Sequence, residues 1–272
     1  MADRDSLAII IVTYNSTQEI AGCLRSLIGH TSPFPTTITV VDNASTDGTA
    51  AYVRSQFPSV QVIESGGNLG FAKANNLGIR ATDSEYVLLM NPDTEAPPGA
   101  IQTLVRGLAS HPEAAVAGAR LLSDRGFPEL SWGDPITPWN ELRQMIFSRL
   151  YHRKIRRIVR IVDKLSRQAR EVAWVSGACM VVRRTDLESV NLLDERFFMY
   201  TEDVDLCIAL GKRGRATLYV AGAEVLHYRG RSGPHNPDLA RLRQQSHIAY
   251  YEKHLPRWAP LLRAYLKATG KL

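Results

Sequence analysis

The residues best placed for chemistry stand where apolar runs of the sequence end. The run "YVLLM" stops at Asn91-Pro92-Asp93, because a proline cannot donate to a central strand ladder. Two earlier runs end at Thr13-Tyr14-Asn15 and at Asp42-Asn43. A carboxylate at the second strand end can accept hydrogen bonds from a base or ribose, and one after "YVLLM" can bind a hard divalent cation. Together these residues predict a site for a nucleotide diphosphate. Taken singly, Asp42 in "DNASTDG" also fits turn and N-cap chemistry, and Asn91-Pro92-Asp93 also fits a turn that ends the strand.

Two further segments are compatible with the same site. The loop "GGNLGFAKANN" contains the glycines of a phosphate loop and the polar residues Asn68 and Asn75. Its spacing matches no standard fingerprint, so Asn68, Gly70 and Asn75 fit a helix cap equally well. Glu202-Asp203 and Asp205 stand where a turn enters a helix, a position that suits a general base and also suits an ordinary partner of the helix dipole.

The last candidate residues follow an apolar strand near residue 227. His227 ends that strand, and Arg229 and Arg231 belong to the glycine-rich loop "YRGRSG" after it. Such a loop can fold over a ligand, whereas a single histidine at a strand end is more often structural.

The first half of the chain alternates short apolar runs with helical patterns. Strands are predicted at 7–15, 37–45, 60–65 and 86–91, with helices from about Ser16 to Ile28, up to about Gln56, and from about Phe71. Near-continuous Val, Ile and Leu runs between helices predict parallel strands that are covered on both faces. We therefore expect a doubly wound α/β sheet.

The second half is less regular. Strands are expected at 114–122, 178–184 and 216–228, the last one broken in two by Gly222, and a helix within 197–214 is expected to close at Gly214. A basic helix or helical hairpin is predicted from Arg149 to Glu171. The tail from Leu239 is expected to be helical, with Pro256 and Pro260 as breaks.

The composition is that of a globular protein with one basic segment. Of the 272 residues, 44% are apolar and 22% charged, and the formal net charge is +6. Residues 149–170 carry nine cations and one carboxylate, a net +8, which leaves −2 for the remainder. Cys23, Cys179 and Cys207 lack metal-ligand spacing and are expected to be buried free thiols. The apolar run 7–12 is too short for a signal peptide or a membrane span, so secretion is not expected.

The order of these motifs resembles one protein family. "IIIVTYNS", "VVDNASTDGT", "GNLGFAKANNLGI", "LLMNPDT", "SGACMVVRR", "LDERFFMYTEDVDLC" and "LHYRGRS" are similar to the family 2 inverting glycosyltransferases, in particular their bacterial rhamnosyltransferase-like branch. The resemblance extends from about Leu7 to Ser232. It implies a GT-A fold: a mostly parallel, Rossmann-like nucleotide-binding sheet with helices on both faces and a mixed acceptor-side half.

The resemblance also implies roles for individual residues. Asp42 would contact the base, in a pocket with Thr13, Tyr14 and Asn15. Asn91-Pro92-Asp93 corresponds to the DXD motif, so Asp93 would bind the metal ion and Asn91 would lie near the ribose or diphosphate. Glu202-Asp203 corresponds to the ED motif, with Asp203 as catalytic base, and His227 corresponds to a second metal ligand.

Two positions depart from the family pattern. Asn91 replaces the first Asp of the DXD motif, which removes one negative charge from the expected metal site. Ala209 stands where many relatives carry an arginine shortly after the ED motif. The first departure bears on metal affinity and the second on contacts with the acceptor.

The resulting expectation is a metal-dependent inverting glycosyltransferase. Residues 1–125 would bind the donor, dTDP-L-rhamnose or a UDP-sugar, with Mg²⁺ or Mn²⁺. Residues 126–235, with the basic insertion 149–171, would bind a glycan or polyprenyl-linked acceptor, and 236–272 would form a helical tail. Alternatives are a sugar-phosphate nucleotidyltransferase, although "VTYNSTQE" lacks a triphosphate-binding loop, and a non-catalytic nucleotide- or glycan-binding relative.

The basic segment has two interpretations. It is either a solvated helix packed on its own domain or an interfacial helix on anionic lipid. No interleaved aromatic residues favour nucleic acid as its partner. With a lipid-linked acceptor, the second interpretation predicts a cytoplasmic protein on the inner face of the plasma membrane.

Overall fold

The computed structural model describes residues 6–28, 34–153, 155–228 and 238–270. Up to residue 90 the chain alternates strands and helices in the predicted order, whereas the short strand and the helix between residues 94 and 109 were not predicted. The elements of the first half are β1 (Leu7–Thr13), α1 (Ile20–Leu27), β2 (Thr36–Asp42), α2 (Thr49–Gln56), β3 (Gln61–Glu64), α3 (Phe71–Arg80), β4 (Tyr86–Met90), β5 (Thr94–Glu95), α4 (Ala100–Ala109) and β6 (Ala114–Leu122). Every residue of β1 and β4 is buried, as expected for strands covered on both faces.

The second half contains the insertion and the tail. Its elements are β7 (Trp132–Gly133), α5 (Pro138–His152), α6 (Arg156–Ser166), β8 (Arg170–Val172), β9 (Trp174–Val175), β10 (Cys179–Arg183), α7 (Arg184–Ser189), α8 (Glu202–Gly211), β11 (Ala216–His227), α9 (Asp238–His254) and α10 (Ala259–Ala268).

Within the described residues, nine strands form one mixed sheet. Its order is β3-β2-β1-β4-β10-β6-β11-β5, with β8 also paired to β11. Strands β1 to β4 are parallel, and β10 runs antiparallel to both β4 and β6. Strand β6, which precedes the predicted boundary at residue 125, pairs with β10 and β11, which follow it. One sheet therefore includes strands from both predicted halves of the chain. This mixed α/β sheet agrees with the predicted fold class.

The hydrophobic core occupies both faces of this sheet. Alternate residues of β1 point to opposite faces, so Ile9 and Ile11 pack with α1 and α4, while Ala8 and Ile10 pack with α3. The three cysteines are buried and free, as the sequence predicts. The sheet is thereby packed between two layers of helices, which fixes the positions of the residues at its strand ends.

Several predicted boundaries differ from the structure. Strand β11 is continuous through Gly222, and the glycine lies within a register shift between Val220 and Glu224 instead of breaking the strand. Helix α1 begins at Ile20 instead of Ser16, because Ser16 is engaged with Thr49 in the preceding turn.

Other corrections concern helix ends. Helix α8 ends at Gly211, and Gly214 follows it with a positive φ of 78°. Pro260 lies in the first turn of α10, where a backbone N–H would have no acceptor within the helix. A proline is tolerated there, so of the two predicted breaks only Pro256 separates helices.

The basic insertion is a helical hairpin that begins earlier than predicted, at Pro138, and ends at Ser166. Arg170 and Glu171 belong to strand β8 instead of a helix. The hairpin is attached to the sheet by the buried guanidinium of Arg120, which lies 3.4 Å from Asp163 Oδ1 and also pairs with Glu224. Its α5 end is held where the Tyr151 hydroxyl donates to the carbonyl of Pro128 at 2.6 Å.

Candidate functional site

The adjacent ends of β1 and β2 hold the first predicted pair of residues in contact. Thr13 and Asp42 are register partners, and the Thr13 hydroxyl donates to Asp42 Oδ1 at 3.1 Å. Asp42 Oδ2 accepts from the Ser45 N–H at 3.0 Å. Asp42 therefore performs the turn function that its sequence context indicates, and the same bonds hold its carboxylate at the sheet edge.

Tyr14 and Asn15 form the rim of this edge. Asn15 has a positive φ of 52°, and its side-chain oxygen accepts from the Thr46 N–H at 2.8 Å. Its own N–H donates to Ser45 Oγ at 2.9 Å. Tyr14 remains 46% exposed, so its ring presents a face at the mouth of the edge on which a planar ligand can stack.

The glycine-rich loop is shaped by Asn43 and Asn68. Asn43 Nδ2 donates to Asn68 Oδ1 at 3.0 Å and to the Gly70 carbonyl at 3.3 Å, and its Oδ1 accepts from the Leu69 N–H at 2.8 Å. Within α3, Asn75 is buried, and its Nδ2 donates to the Phe71 carbonyl at 2.9 Å. These amides are thus engaged in holding the loop and the first turn of α3.

Gly70 brings that loop against the segment that precedes Glu202. Its φ is +81°, and a Cβ added there would lie 2.3 Å from the Phe198 carbonyl oxygen. The next residue, Phe71, donates its N–H to the same oxygen at 2.6 Å. A side chain at position 70 would separate the two segments, which is a physical reason for the glycine that the sequence pattern alone did not supply.

The predicted metal ligands Asp93 and His227 are neighbours. Asp93 Oδ1 lies 3.4 Å from His227 Nε2 and has no hydrogen-bond partner within the described part of the chain. His227 Nδ1 lies 2.9 Å from Glu129 Oε2. Burial disfavours the imidazolium, but the two carboxylates beside the ring, those of Asp93 and Glu129, outweigh this effect and raise the pKa of His227 to about 9.

Glu129 is a residue of this site that sequence reasoning missed. It follows β6 in the segment "GFPEL", which contains no recognisable motif. A metal-binding histidine commonly has its second ring nitrogen on a carboxylate, which orients the ring. The Glu129–His227–Asp93 arrangement has this form, with Nε2 and Asp93 Oδ1 on the side away from Glu129.

The predicted catalytic pair opens helix α8. Tyr200 and Thr201, just before it, have positive φ values of 71° and 74°, a conformation that is costly for residues with side chains. Asp203 Oδ2 accepts from the Gly177 N–H at 2.8 Å and Oδ1 from the Val204 N–H at 2.8 Å. Burial raises the pKa of Asp203, although these two N–H groups oppose the rise.

Glu202 is buried beside Asp203, and a hydrogen bond from its own backbone N–H only partly offsets the cost of its charge. Its Oε2 has no hydrogen-bond partner among the described residues. Burial, with the charge of Asp203 added, raises the pKa of Glu202 well above its usual range. The ionised side chain therefore costs folding free energy in this structure.

We expect Glu202→Gln to raise the melting temperature at mildly alkaline pH. An acid whose pKa is higher in the folded state binds its proton more tightly there, so the folded state loses stability as pH rises above the unfolded value near 4.5 and through the folded pKa. Glutamine has no such titration, and the gain is expected to be about 1–3 kcal/mol. Thermal unfolding across pH tests this, with the exposed Glu113→Gln as control. A difference that persists unchanged below pH 4.5 would contradict the explanation.

Backbone contacts bring the metal pair and the catalytic pair to the same edge. The N–H of Asn91 donates to the Ala178 carbonyl at 3.0 Å, and the preceding residue, Gly177, holds Asp203. Residues 177 and 178 thus lie between the end of β4 and the start of α8. The sequence identified "SGACMVVRR" as a family motif containing a strand, but it did not indicate this contact.

Two groups of candidate residues are not placed in the site. Asp205 is turned toward the tail, where its carboxylate lies 2.6 Å from His254 Nε2 and 2.8 Å from Lys253 Nζ. It therefore joins α8 to α9. Arg229 and Arg231 lie outside the described residues.

Comparisons with known proteins identify the family of this chain. The profile of Glycosyl transferase family 2 matches residues 8–190, and the chain belongs to that family. It is a glycosyltransferase of the rhamnosyltransferase-like type, with a GT-A fold.

Similar proteins with assigned activities include two rhamnosyltransferases. The N-acetylglucosaminyl-diphospho-decaprenol L-rhamnosyltransferase of Mycobacterium tuberculosis is 31% identical over an alignment of 295 positions. The alignment covers 97% of this chain and 90% of the relative. The rhamnosyltransferase WbbL of Escherichia coli is 29% identical over 180 residues, which cover 60% of this chain and 62% of the relative.

Solved structures show the same fold at low sequence identity. The mannosyltransferase PcManGT of Pyrobaculum calidifontis, solved with GDP-Man and Mn²⁺, has a TM-score of 0.63 at 19% identity and covers 97% of this chain and 69% of its own. GalNAc-T7 with UDP, GalNAc and Mn²⁺ has a TM-score of 0.61 at 14% identity, covering 90% of this chain and 48% of its own.

Proposed function

We propose that this glycosyltransferase transfers L-rhamnose from dTDP-L-rhamnose to a hydroxyl of a lipid-linked N-acetylglucosamine acceptor, with inversion. The proposal depends on one observation: the same sheet edge holds the neighbouring side chains of Asp93 and His227 and the carboxylate of Asp203, which accepts from the Gly177 N–H. The sugar and the acceptor are inferred from the M. tuberculosis relative, which aligns with 97% of this chain. A UDP-sugar is the alternative donor.

Asp203 is the proposed general base. The two N–H groups that bond its oxygens fix the carboxylate, so that it can accept the proton of an acceptor hydroxyl. The hydroxyl oxygen then forms its bond to the anomeric carbon as the bond to the diphosphate oxygen breaks. Because attack and departure occur on opposite faces, the anomeric configuration inverts.

The pair Asp93 and His227 suits a divalent cation. Asp93 Oδ1 is a buried acceptor without a hydrogen-bond partner in the described ranges, and the imidazole beside it is oriented by Glu129. The described residues contain no group of three or more His, Cys, Asp or Glu able to hold an ion, so phosphate oxygens of the donor would have to complete the coordination. Mg²⁺ or Mn²⁺, when bound, would neutralise charge on the departing diphosphate.

A screen of nucleotide sugars tests the proposal. The protein is incubated with dTDP-L-rhamnose, UDP-sugars or GDP-sugars, each with Mg²⁺ or Mn²⁺, and thermal stabilisation and slow donor hydrolysis are measured. We expect dTDP-L-rhamnose with a divalent cation to give the largest response in both. Release of pyrophosphate from NTP and a sugar phosphate would instead indicate a nucleotidyltransferase, and stabilisation without turnover on any acceptor would indicate a binding protein.

The basic helix α6 is proposed to bind an anionic membrane surface on the cytoplasmic side. It packs on the protein through the buried residues Val162 and Ser166, so it is in part the solvated helix of the first interpretation. Its remaining surface is strongly cationic. The exposed cations are Arg156, Arg157, Arg160, Lys164 and Arg167. None of the helices in the described ranges is long and apolar enough to cross a bilayer.

Charge reversal of α6 should weaken this binding. In Arg156→Glu/Arg157→Glu/Arg160→Glu we expect loss of co-sedimentation with vesicles containing anionic lipid, because each cation near such a surface contributes about 1 kcal/mol. Nucleotide affinity should be retained. A matched control, Arg25→Glu/Arg106→Glu/Arg213→Glu, changes the same charge at exposed positions outside α6 and should still sediment. Equal sedimentation of both variants would argue against a membrane role for α6.

A further inference from the structure

A cavity of about 470 Å³ lies between helix α5 and the segment that follows β6. One wall is formed by residues 127–130 and the other by one face of α5. The α5 residues that line it are Glu141, Gln144, Met145, Ser148 and Tyr151. The cavity lies outside the donor edge described above. Glu129 borders both, since it lines the cavity and contacts His227.

The chemistry of the lining favours an uncharged, hydroxyl-rich ligand. Carboxylates, an amide and serine hydroxyls can exchange hydrogen bonds with sugar hydroxyls, and Phe127, Leu130 and Met145 add apolar surface to the lining. Among the described lining residues there is no Lys or Arg. Glu141 pairs with His247 at 2.6 Å, and Glu129 lies 2.9 Å from His227, so the lining carries compensated carboxylates whose remaining lone pairs can accept from the hydroxyls of a saccharide.

Backbone hydrogen bonds connect the cavity wall to the proposed base. The Ser131 N–H donates to the Glu129 carbonyl at 2.9 Å, and the Ser176 N–H donates to the Ser131 carbonyl at 2.8 Å. The next residue after Ser176 is Gly177, whose N–H holds Asp203. The cavity wall is thus connected to the residue that binds Asp203 through Ser131 and Ser176.

Helix α5 also presents apolar side chains to the outside of the cavity. Trp139 is 75% exposed, and Leu142 and Ile146 are 44% and 50% exposed. The spacing of residues 139, 142 and 146 places them on one helical face, and the cations of α6 follow on the adjoining helix. A long apolar chain with an anionic group near its head matches such a surface.

We propose that this cavity binds the saccharide of a lipid-linked acceptor, with the lipid leaving over the exposed apolar face of α5. The inference rests on the proposed function, because it identifies the acceptor side of that site. It assigns Gln144 and Ser148 to acceptor binding and not to donor binding. It also explains why the insertion combines an apolar helix with a basic one.

The test is to fill the cavity. Ser148→Trp should raise the KM for N-acetylglucosaminyl diphosphate attached to a short prenyl chain by at least about tenfold, while the Kd for dTDP with Mn²⁺, measured by calorimetry, stays unchanged. Gln144→Ala, which removes one amide without adding volume, should raise the same KM by about three- to tenfold. Ser55→Trp, the same substitution at an exposed position of α2, is the control and should leave both constants as in the natural sequence.

Two results would overturn the inference. One is an acceptor KM that stays unchanged in Ser148→Trp and Gln144→Ala. The other is a parallel loss of dTDP affinity in both variants, which would place the cavity on the donor side. Failure of the proposed function appears differently, since the natural sequence would then bind and hydrolyse no nucleotide sugar.

Discussion

Replacing Asp203 with Asn is expected to lower kcat by about 10²- to 10⁴-fold while leaving the affinity for the donor nucleotide nearly unchanged. The amide can still accept the hydrogen bond from the Gly177 N–H, but it cannot take a proton from the acceptor hydroxyl. Steady-state kinetics with dTDP-L-rhamnose and the lipid-linked acceptor give kcat, and calorimetry gives the nucleotide Kd.

The matched control for this prediction is Asp205→Asn. Asp205 lies on the same helix but pairs with Lys253 and His254, so its loss should lower the melting temperature with a much smaller effect on kcat. A kcat that falls equally in both variants would indicate that Asp203 acts through the stability of α8.

The pH profile adds an independent readout for Asp203. A base must be ionised to act, and burial raises the pKa of this carboxyl above its ordinary value of 3.8. The rate should therefore fall as pH decreases through that raised pKa, earlier than for an exposed aspartate. The residual rate of the Asn variant should lack this acidic limb.

The second large effect is expected for Asp93→Asn. If Asp93 and His227 hold the cation, replacing the carboxylate should raise the Mn²⁺ concentration needed for dTDP binding by at least about 100-fold, since even residues behind a metal ligand contribute 10- to 100-fold. The contact between His227 and Glu129 should be retained, because the amide of Asn has the same shape as the carboxylate of Asp. Mn²⁺ binding followed by electron paramagnetic resonance, with and without dTDP, measures the effect apart from turnover.

Asp83→Asn is the control for Asp93→Asn. Asp83 precedes the amino end of β4, at the opposite end of the strand from Asp93, and is exposed. It should leave Mn²⁺ binding unchanged. Retained Mn²⁺ affinity in Asp93→Asn would remove Asp93 from the metal site. Conversely, Asn91→Asp adds the carboxylate that this chain lacks in its DXD-like segment and should tighten Mn²⁺ binding.

The sheet and its edge could be predicted because their signals are local. The run predicted at 114–122 is the strand Ala114–Leu122, and the helix predicted from Phe71 begins there. Strands buried on both faces need uninterrupted apolar residues, so their ends are visible where polar residues and proline begin. For this reason Thr13, Asp42 and Asp93 were found from the sequence as strand-end residues.

Helix boundaries near turns were predicted less well, because side-chain contacts between segments decide them. Serine is a residue type favoured at helix N-caps, yet the Ser16 N–H donates to Thr49 Oγ1, and α1 begins only at Ile20. Gly222 carries the signal of a strand break, but pairing of β11 with β6 on both sides of the irregularity keeps the strand continuous.

The sequence by itself thus determined the layered α/β order, the residues at the strand ends and the basic character of the insertion. The tertiary structure alone decided which polar groups meet: Glu129 contacts His227 across 98 positions, and Asp205 turns to His254 across 49. The physical reason is that periodicity and turn propensity act over a few neighbouring residues, whereas contacts between distant residues depend on how complete layers pack. The proposed base Asp203 combines both cases, since its motif is local but the N–H of Gly177 that binds it comes from a distant segment of the chain.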